Sequence, residues 1–240
     1  GDKKMKNWRV IFENGDIELF EEDDIITLDS GLDKKANKLT SLDSINGKKV
    51  FVVEKIGYNG ESAVCNLASV NLSKINTKED IERVVPIAIR MLDNVIDLNF
   101  YPTRKVRTTN LKNRAIGLGV MGEAEMLAKE QIMWGSNEHL NKIDKIMELI
   151  SFNAINASSD IAKEKGVYPD YKGSNWSKGI FPIDLANTEA LKLVDRDLFD
   201  RCDWDSLRQK VITQGIRNGY LMAIAPTSSI SILVGTTQTI

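Results

Sequence analysis

The sequence predicts an α/β protein, helix-rich over its larger part and preceded by a small β-rich unit. The period of the apolar residues changes near residue 62, from two-residue alternation broken by Asn-Gly pairs to three- and four-residue steps. Within the second part, the run Tyr220–Ala225 is apolar and stops at Pro226, which reads as a short buried strand feeding a polar loop. These changes divide the 240 residues into a β-rich appendage at 1–61 and a larger segment at 62–240.

In the first unit, Trp8, Val10 and Phe12 alternate with polar neighbours, Asn14-Gly15 supplies a turn that tolerates positive φ, and Ile17 and Leu19 alternate again. This is a β-hairpin signal. Asn46-Gly47 and Asn59-Gly60 bracket a β-branched run from Lys48 to Ile56, while 28–42 reads as polar and irregular. The unit carries 10 basic and 13 acidic residues, the acids concentrated in Glu13, Asp16, Glu18, Glu21, Glu22, Asp23 and Asp24; a solvated hairpin face explains them better than a metal or cationic-partner site.

Three helices are predicted in the second unit. Thr77 and Asp80 have capping-box spacing, and Ile81, Val84, Val85, Ala88, Leu92, Val95 and Ile96 follow on one face. Pro86 inside that pattern predicts a kink or a later start. A second helix runs from Glu138 to Lys165, with Leu140, Ile143, Met147, Ile150, Ala154, Ala157 and Ile161 on one stripe and Gly166 at its end. A third runs from about Asp203 to Gly215.

Composition excludes several function classes. No stretch approaches the roughly 20 apolar residues of a membrane span, and the first four residues lack the apolar run of a signal peptide, so a cytoplasmic location is expected. A net charge of −2 gives no overall case for nucleic acid or anionic lipid. Two cysteines, Cys65 and Cys202, cannot build a disulfide framework or a thiolate zinc site, and one histidine leaves little for a metal site or a histidine triad.

Four stretches are candidate sites. Gly117-Leu-Gly-Val-Met-Gly122 matches the dinucleotide fingerprint in letters, but no buried strand precedes it, so its glycines are expected to permit close packing. The basic run Arg104, Lys105, Arg107, Lys112 and Arg114 lacks interleaved aromatics and reads as a solvated connecting loop. Cys65, in Ala63-Val-Cys-Asn-Leu-Ala-Ser69, has no flanking charge; such a cysteine is more often an inert core residue than a nucleophile. Pro226-Thr-Ser-Ser-Ile-Ser231 places hydroxyls and free N–H groups after a strand, as phosphate binding requires and as a structural turn also does.

Five blocks in order then carry a family resemblance: Ala63-Val-Cys-Asn-Leu-Ala-Ser-Val-Asn-Leu72, Arg114-Ala-Ile-Gly-Leu-Gly-Val-Met-Gly122, Gly173-Ser-Asn-Trp-Ser-Lys-Gly-Ile-Phe-Pro182, Asp203-Trp-Asp-Ser-Leu-Arg208 with Gly215-Ile-Arg-Asn218, and Ala223-Ile-Ala-Pro-Thr-Ser-Ser-Ile-Ser231. From residue 62 to 240 the chain resembles the large, catalytic subunit of class I ribonucleotide reductase. The resemblance implies part of a ten-stranded α/β barrel. It implies that Cys65 is one of a redox pair supplying electrons for removal of the ribose 2′-hydroxyl, and that Pro226, Thr227, Ser228, Ser229, Ile230 and Ser231 bind the substrate diphosphate.

The departures matter as well. The family's motif with an asparagine, the radical cysteine and a glutamate at alternate positions is absent, as are the second redox cysteine, the effector-binding region, the tyrosine pair and the cysteine-bearing tail. The resemblance therefore implies one piece of a split or truncated subunit, inactive alone. Its partners would be the remaining piece or pieces, a small radical-generating subunit, thioredoxin or glutaredoxin, and a ribonucleoside diphosphate, in a homo-oligomeric assembly. ATP and dNTP effectors would bind elsewhere, and this chain itself would hold no cofactor or metal. Residues 1–61 do not resemble the reductase; they resemble, faintly, the β-rich splicing domains of inteins, although Ala63-Val64 before Cys65 lacks the His-Asn that splicing needs. The competing expectation is a non-catalytic remnant with an intein-derived interaction module.

Overall fold

The computed structural model describes residues 8–21, 23–55 and 61–240. The Asn59-Gly60 pair, Glu22, Ile56 and the first residues of the chain lie outside the described residues. Contacts divide the chain into two compact units, Gly1–Glu61 and Ser62–Ile240.

In the first unit, β1 (Trp8–Phe12) and β2 (Ile17–Phe20) form the expected antiparallel hairpin, with Gly15 at φ 86°. β3 (Ile25–Thr27) pairs with β4 (Asp33–Lys35). β5 (Ser44–Ile45) joins β6 (Lys48–Lys55) through Asn46 and Gly47, both at positive φ (49° and 74°), the backbone of a twist-compatible two-residue hairpin turn. β2, β1, β6 and β5 make one four-stranded sheet. The stretch read as irregular, 28–42, contains β4 and a 3-10 turn at Ala36–Lys38, and its Leu28, Ala36 and Leu39 join Val10, Phe12, Ile26, Ile45 and Val50 in the core. Single apolar residues spaced along short elements leave no period to read. The acidic hairpin is matched by lysines: Lys48 meets Asp16 at 2.8 Å, Lys49 meets Glu13 at 3.1 Å and Lys35 meets Asp23 at 2.9 Å.

The second unit alternates strand and helix. β7 (Leu67–Asn71) leads to α1 (Lys78–Leu98), α2 (Arg104–Asn113) and β8 (Gly117–Met121); α3 (Glu123–Lys129) and α4 (Asn137–Lys165) follow, then short α5 (Thr188–Leu191), α6 (Trp204–Gln214) and α7 (Ser228–Val234). β7 and β8 are parallel, Leu67 opposite Gly117 and Asn71 opposite Met121, as a helical crossover requires. α1 starts at Thr77 with its capping box and carries Pro86 in its interior, so the cap determines the start. Its Ile81, Val85, Ile89 and Leu92 join Ile150, Ala154, Ala157 and Ile161 of α4 and Val70, Leu118 and Val120 of the strands in one core. Each large side chain so buried contributes roughly 1.5–3 kcal/mol.

Two expectations are corrected. The basic run is not a solvated loop: Arg104–Asn113 is α2, capped by Thr103, and Arg114 is buried in a left-handed backbone conformation (φ 45°). Thr103 supplies the helix start, and the carboxylates that receive Arg114 lie in α1, remote in sequence. Tyr220–Ala225 is not a fully buried strand: Leu221 is buried, but Tyr220, Ala223 and Ile224 are exposed, and the stretch joins β8 through a single parallel bridge, Leu118 to Met222. Among the described residues, the parallel sheet therefore consists of β7, β8 and this bridged stretch.

Candidate functional site

β8 is the centre of the site. On one side it pairs with β7, and Gly117 N–H donates to Asn66 O at 2.9 Å. On the other side Ile116 N–H donates to Tyr220 O (3.0 Å), Leu118 N–H to Leu221 O (2.8 Å), and Ala223 N–H to Leu118 O (3.2 Å). Leu118 and Val120 point into the helix-covered core, so by alternation Gly117 and Gly119 point to the opposite face. A Cβ on Gly117 would stand 2.6 Å from Leu67 Cδ2 and 2.8 Å from Ala223 Cβ; one on Gly119 would stand 2.2 Å from Ala223 O. The glycines thus let the Cys65 segment and the 223–231 segment close on β8 from both sides. Two of the three fingerprint glycines lie inside a strand, and the residues before them form α2 and a short connection, not the strand and turn that a dinucleotide needs.

Cys65 lies just before β7, in a stretch with alternating exposure, on the face shared by Leu67. The core reading of this residue fails, since Cys65 is exposed with a free thiol. Its neighbours are fixed: Asn110 Oδ1 accepts from Val64 N–H (3.1 Å), Asn110 Nδ2 donates to Val64 O (3.0 Å), and Asn66 Nδ2 donates to Leu92 O (2.7 Å). Cys202 lies elsewhere in the fold, its N–H donating to Glu148 Oε1; burial, with the Glu148 carboxylate, pushes its thiol up from the usual range.

The 226–231 stretch bends at Thr227, a non-glycine residue at φ 55°, which is buried and whose Oγ1 accepts from Thr239 N–H at 2.7 Å. α7 begins immediately after it. As at any helix start, the N–H groups of Ser228, Ser229 and Ile230 have no intrahelical acceptor. Pro226, Ser228, Ser229 and Ile230 are exposed, whereas Ser231 is buried and donates to Ser228 O at 3.3 Å. Four residues of the stretch are therefore exposed beside N–H groups without an intrahelical acceptor, and Thr227 and Ser231 are buried at the bend. A cavity of about 900 Å³ beside Met147, Trp176 and Phe181 includes neither Cys65 nor any residue of 226–231.

The remaining motif blocks are structural. Arg114 Nε donates to Asp93 Oδ1 (2.9 Å) and its Nη atoms to Asp97 (2.8 and 2.9 Å). Asn218 Nδ2 donates to Asp93 Oδ1 (3.1 Å) and to Arg114 O (3.0 Å), and its Oδ1 accepts from Ser158 Oγ (2.8 Å). Trp176 Nε1 donates to Gly219 O (2.9 Å), and Arg208 pairs with Asp184. This places the start of the 219–231 segment against α1, α4 and the turn before β8. Sequence reading missed Asn110 and Asp93 and gave Asn218, which stands in one of the motif blocks, no role; the one signal for the first two was Asp93, an acid on the apolar face of α1.

A parallel strand–helix segment with an exposed thiol at the head of one strand and a small-residue helix start beyond its neighbour is thus the local architecture. Comparison with known proteins places it. The family model described as ribonucleotide reductase, barrel domain, matches residues 34–240. The ribonucleoside-diphosphate reductase subunit alpha of Helicobacter pylori strain J99 is 66% identical over 233 residues, 97% of this chain and 30% of that protein. The subunit alpha of Chlamydia muridarum is 47% identical over 189 residues, 75% of this chain and 18% of that protein, and the large subunit of Caenorhabditis elegans is 37% identical over 188 residues, 75% and 23%. The chain belongs to the ribonucleotide reductase family, as a segment of the class I large subunit.

The chain spans about 30% of the length of the Helicobacter relatives. Because 233 of its 240 residues enter that match, most of the first unit is shared with a reductase subunit, and the family match itself begins at residue 34. The expectation that residues 1–61 are foreign to the reductase is corrected accordingly, and the intein comparison falls with it. No helix among the described residues is long and apolar enough to cross a membrane.

Proposed function

We propose that this segment contributes to the reduction of ribonucleoside diphosphates, with Cys65 as one of two redox thiols and Pro226–Ser231 as the holder of the substrate diphosphate. The observation that carries the reading is the arrangement around β8: the exposed Cys65 thiol approaches from the β7 side, and the donors of Ser228, Ser229 and Ile230 follow the stretch bridged to its other side. A diphosphate suits a helix start flanked by small hydroxyl side chains, because its oxygens accept from main-chain N–H groups.

In this reading, a thiyl radical on a cysteine outside this segment takes the ribose 3′-hydrogen, and the 2′-hydroxyl leaves as water. Two thiols, Cys65 and a partner outside the segment, supply two electrons and two protons and become a disulfide. The net change is ribonucleoside diphosphate plus dithiol to deoxyribonucleoside diphosphate, disulfide and water. A dithiol reductant such as thioredoxin or glutaredoxin restores the pair. The small subunit supplies the radical, ATP and dNTP effectors act elsewhere, and the rest of the large subunit completes a barrel of ten strands in a homo-oligomeric, cytoplasmic enzyme.

The segment alone is expected to be inactive. The test adds it to a polypeptide supplying the missing portions, with small subunit, a ribonucleoside diphosphate and dithiothreitol. Deoxynucleotide formed only by the combination supports the reading; association without turnover, under conditions where a complete subunit is active, contradicts it.

A further inference from the structure

We infer that Asn110 is a positioning residue for Cys65, an inference that rests on the redox reading of that cysteine. Residues 61–66 belong to no strand, so no sheet ladder fixes the backbone that carries the thiol. Asn110 replaces that ladder. Its side chain, in a residue 4% exposed, spends its acceptor on Val64 N–H and a donor on Val64 O, as a neighbouring strand would. A side-chain amide offers both functions on one carbon; an ionised carboxylate keeps the acceptor and loses the donor. On the other flank, Asn66 is tied to α1 through Leu92 O and to β8 through Gly117 N–H. Cys65 is therefore held at both neighbours while its own side chain stays exposed. Thiol chemistry on a bound sugar depends on such placement, since a shift of about 1 Å can cost ~100-fold in rate.

The experiment uses the complete large subunit with its small subunit, as wild type, Asn110→Ala, Asn110→Asp and Cys65→Ser. It reads kcat and KM for the ribonucleoside diphosphate and the hydrogen-exchange rate of the Val64 amide. Asn110→Ala is expected to lower kcat about tenfold with KM within twofold, and to speed Val64 exchange at least tenfold. The isosteric Asn110→Asp is expected to lower kcat similarly yet keep Val64 N–H protected, because its carboxylate still accepts that bond. The inference is overturned if both variants keep wild-type kcat, if KM rises in step with the fall in kcat, or if Val64 exchange in Asn110→Ala is unchanged. Sustained turnover by Cys65→Ser would instead overturn the redox reading, and the Val64 exchange rates would still decide the clamp.

Discussion

Arg114 and Asp93 meet in the interior of the second unit: Nη2 lies 2.8 Å from Oδ1, with side-chain exposures of 4% and 0%. The pair joins the turn before β8 to α1, and Asn218 closes it from the chain that leads to Pro226. Asp97 shares the guanidinium, whose hydrogen bonds hold the Asp97 carboxyl below the usual range. Removing one member of a buried ion pair leaves the other desolvated and uncompensated. Asp93→Ala is therefore expected to destabilise the fold by about 3 kcal/mol. Urea denaturation checks this; a loss below about 1 kcal/mol would mean that Asp97 alone neutralises Arg114.

Gly119 faces Ala223 so closely that a methyl group would overlap its carbonyl oxygen. Gly119→Ala must push the 220–225 stretch away from β8, at a cost of roughly 1–3 kcal/mol. With 226–231 as the proposed diphosphate holder, a displacement passed on to that stretch is expected to raise KM for the ribonucleoside diphosphate several-fold in the complete enzyme. Gly15→Ala, at an open hairpin turn in the first unit, should leave KM unchanged. Equal KM values for both variants would disconnect the β8 contact from substrate binding.

Glu125 pairs with Lys129 within α3 and also meets Thr236. A hydrogen bond from Lys129, then those involving Thr236 and Ser73, lower its carboxyl from 4.5 to about 2. A depressed carboxyl favours the folded form while ionised, so this contribution is present above about 4.5 and is lost as pH falls toward about 2. Carboxyl carbon NMR of Glu125 should titrate near the lower value, and Lys129→Ala should move the midpoint upward. A wild-type midpoint above 4 would show that these contacts do not form in solution.

His139, the sole histidine, accepts from Gly135 N–H at Nδ1 (3.0 Å) and meets Glu123 Oε1 through Nε2 at 2.6 Å, both side chains being buried. The Gly135 bond leaves the proton on Nε2, which donates to Glu123. Nitrogen NMR at neutral pH should show the Nε2–H tautomer. His139→Ala should cost about 1–3 kcal/mol by stranding the carboxylate. An Nδ1–H tautomer would contradict the assignment.

Local signals made much of this fold legible. Thr77, Asp80, Gly166 and Asp203 mark helix ends by their own side-chain or backbone chemistry, and each stands at an end of α1, α4 or α6. Asn14-Gly15 and Asn46-Gly47 likewise mark turns, since they tolerate positive φ. What stayed hidden depends on distant partners. Arg114 reads as a solvated cation until Asp93 and Asp97 are brought beside it, and Cys65 reads as core because its neighbours are apolar, although the strand end exposes it. Asn110 lies in a polar helix, and nothing in spacing ties it to Val64, 46 residues earlier.

The most direct measurement follows Cys65 through one turnover. The complete large subunit, reduced and freed of external thiol, is mixed with its small subunit and a ribonucleoside diphosphate, then alkylated and mapped by mass spectrometry. Cys65 is expected to pass from alkylatable thiol to disulfide in step with deoxynucleotide formed, and Cys65→Ser to yield no sustained product when dithiol is restored. Deoxynucleotide formed while Cys65 remains fully alkylatable would contradict the redox role of Cys65.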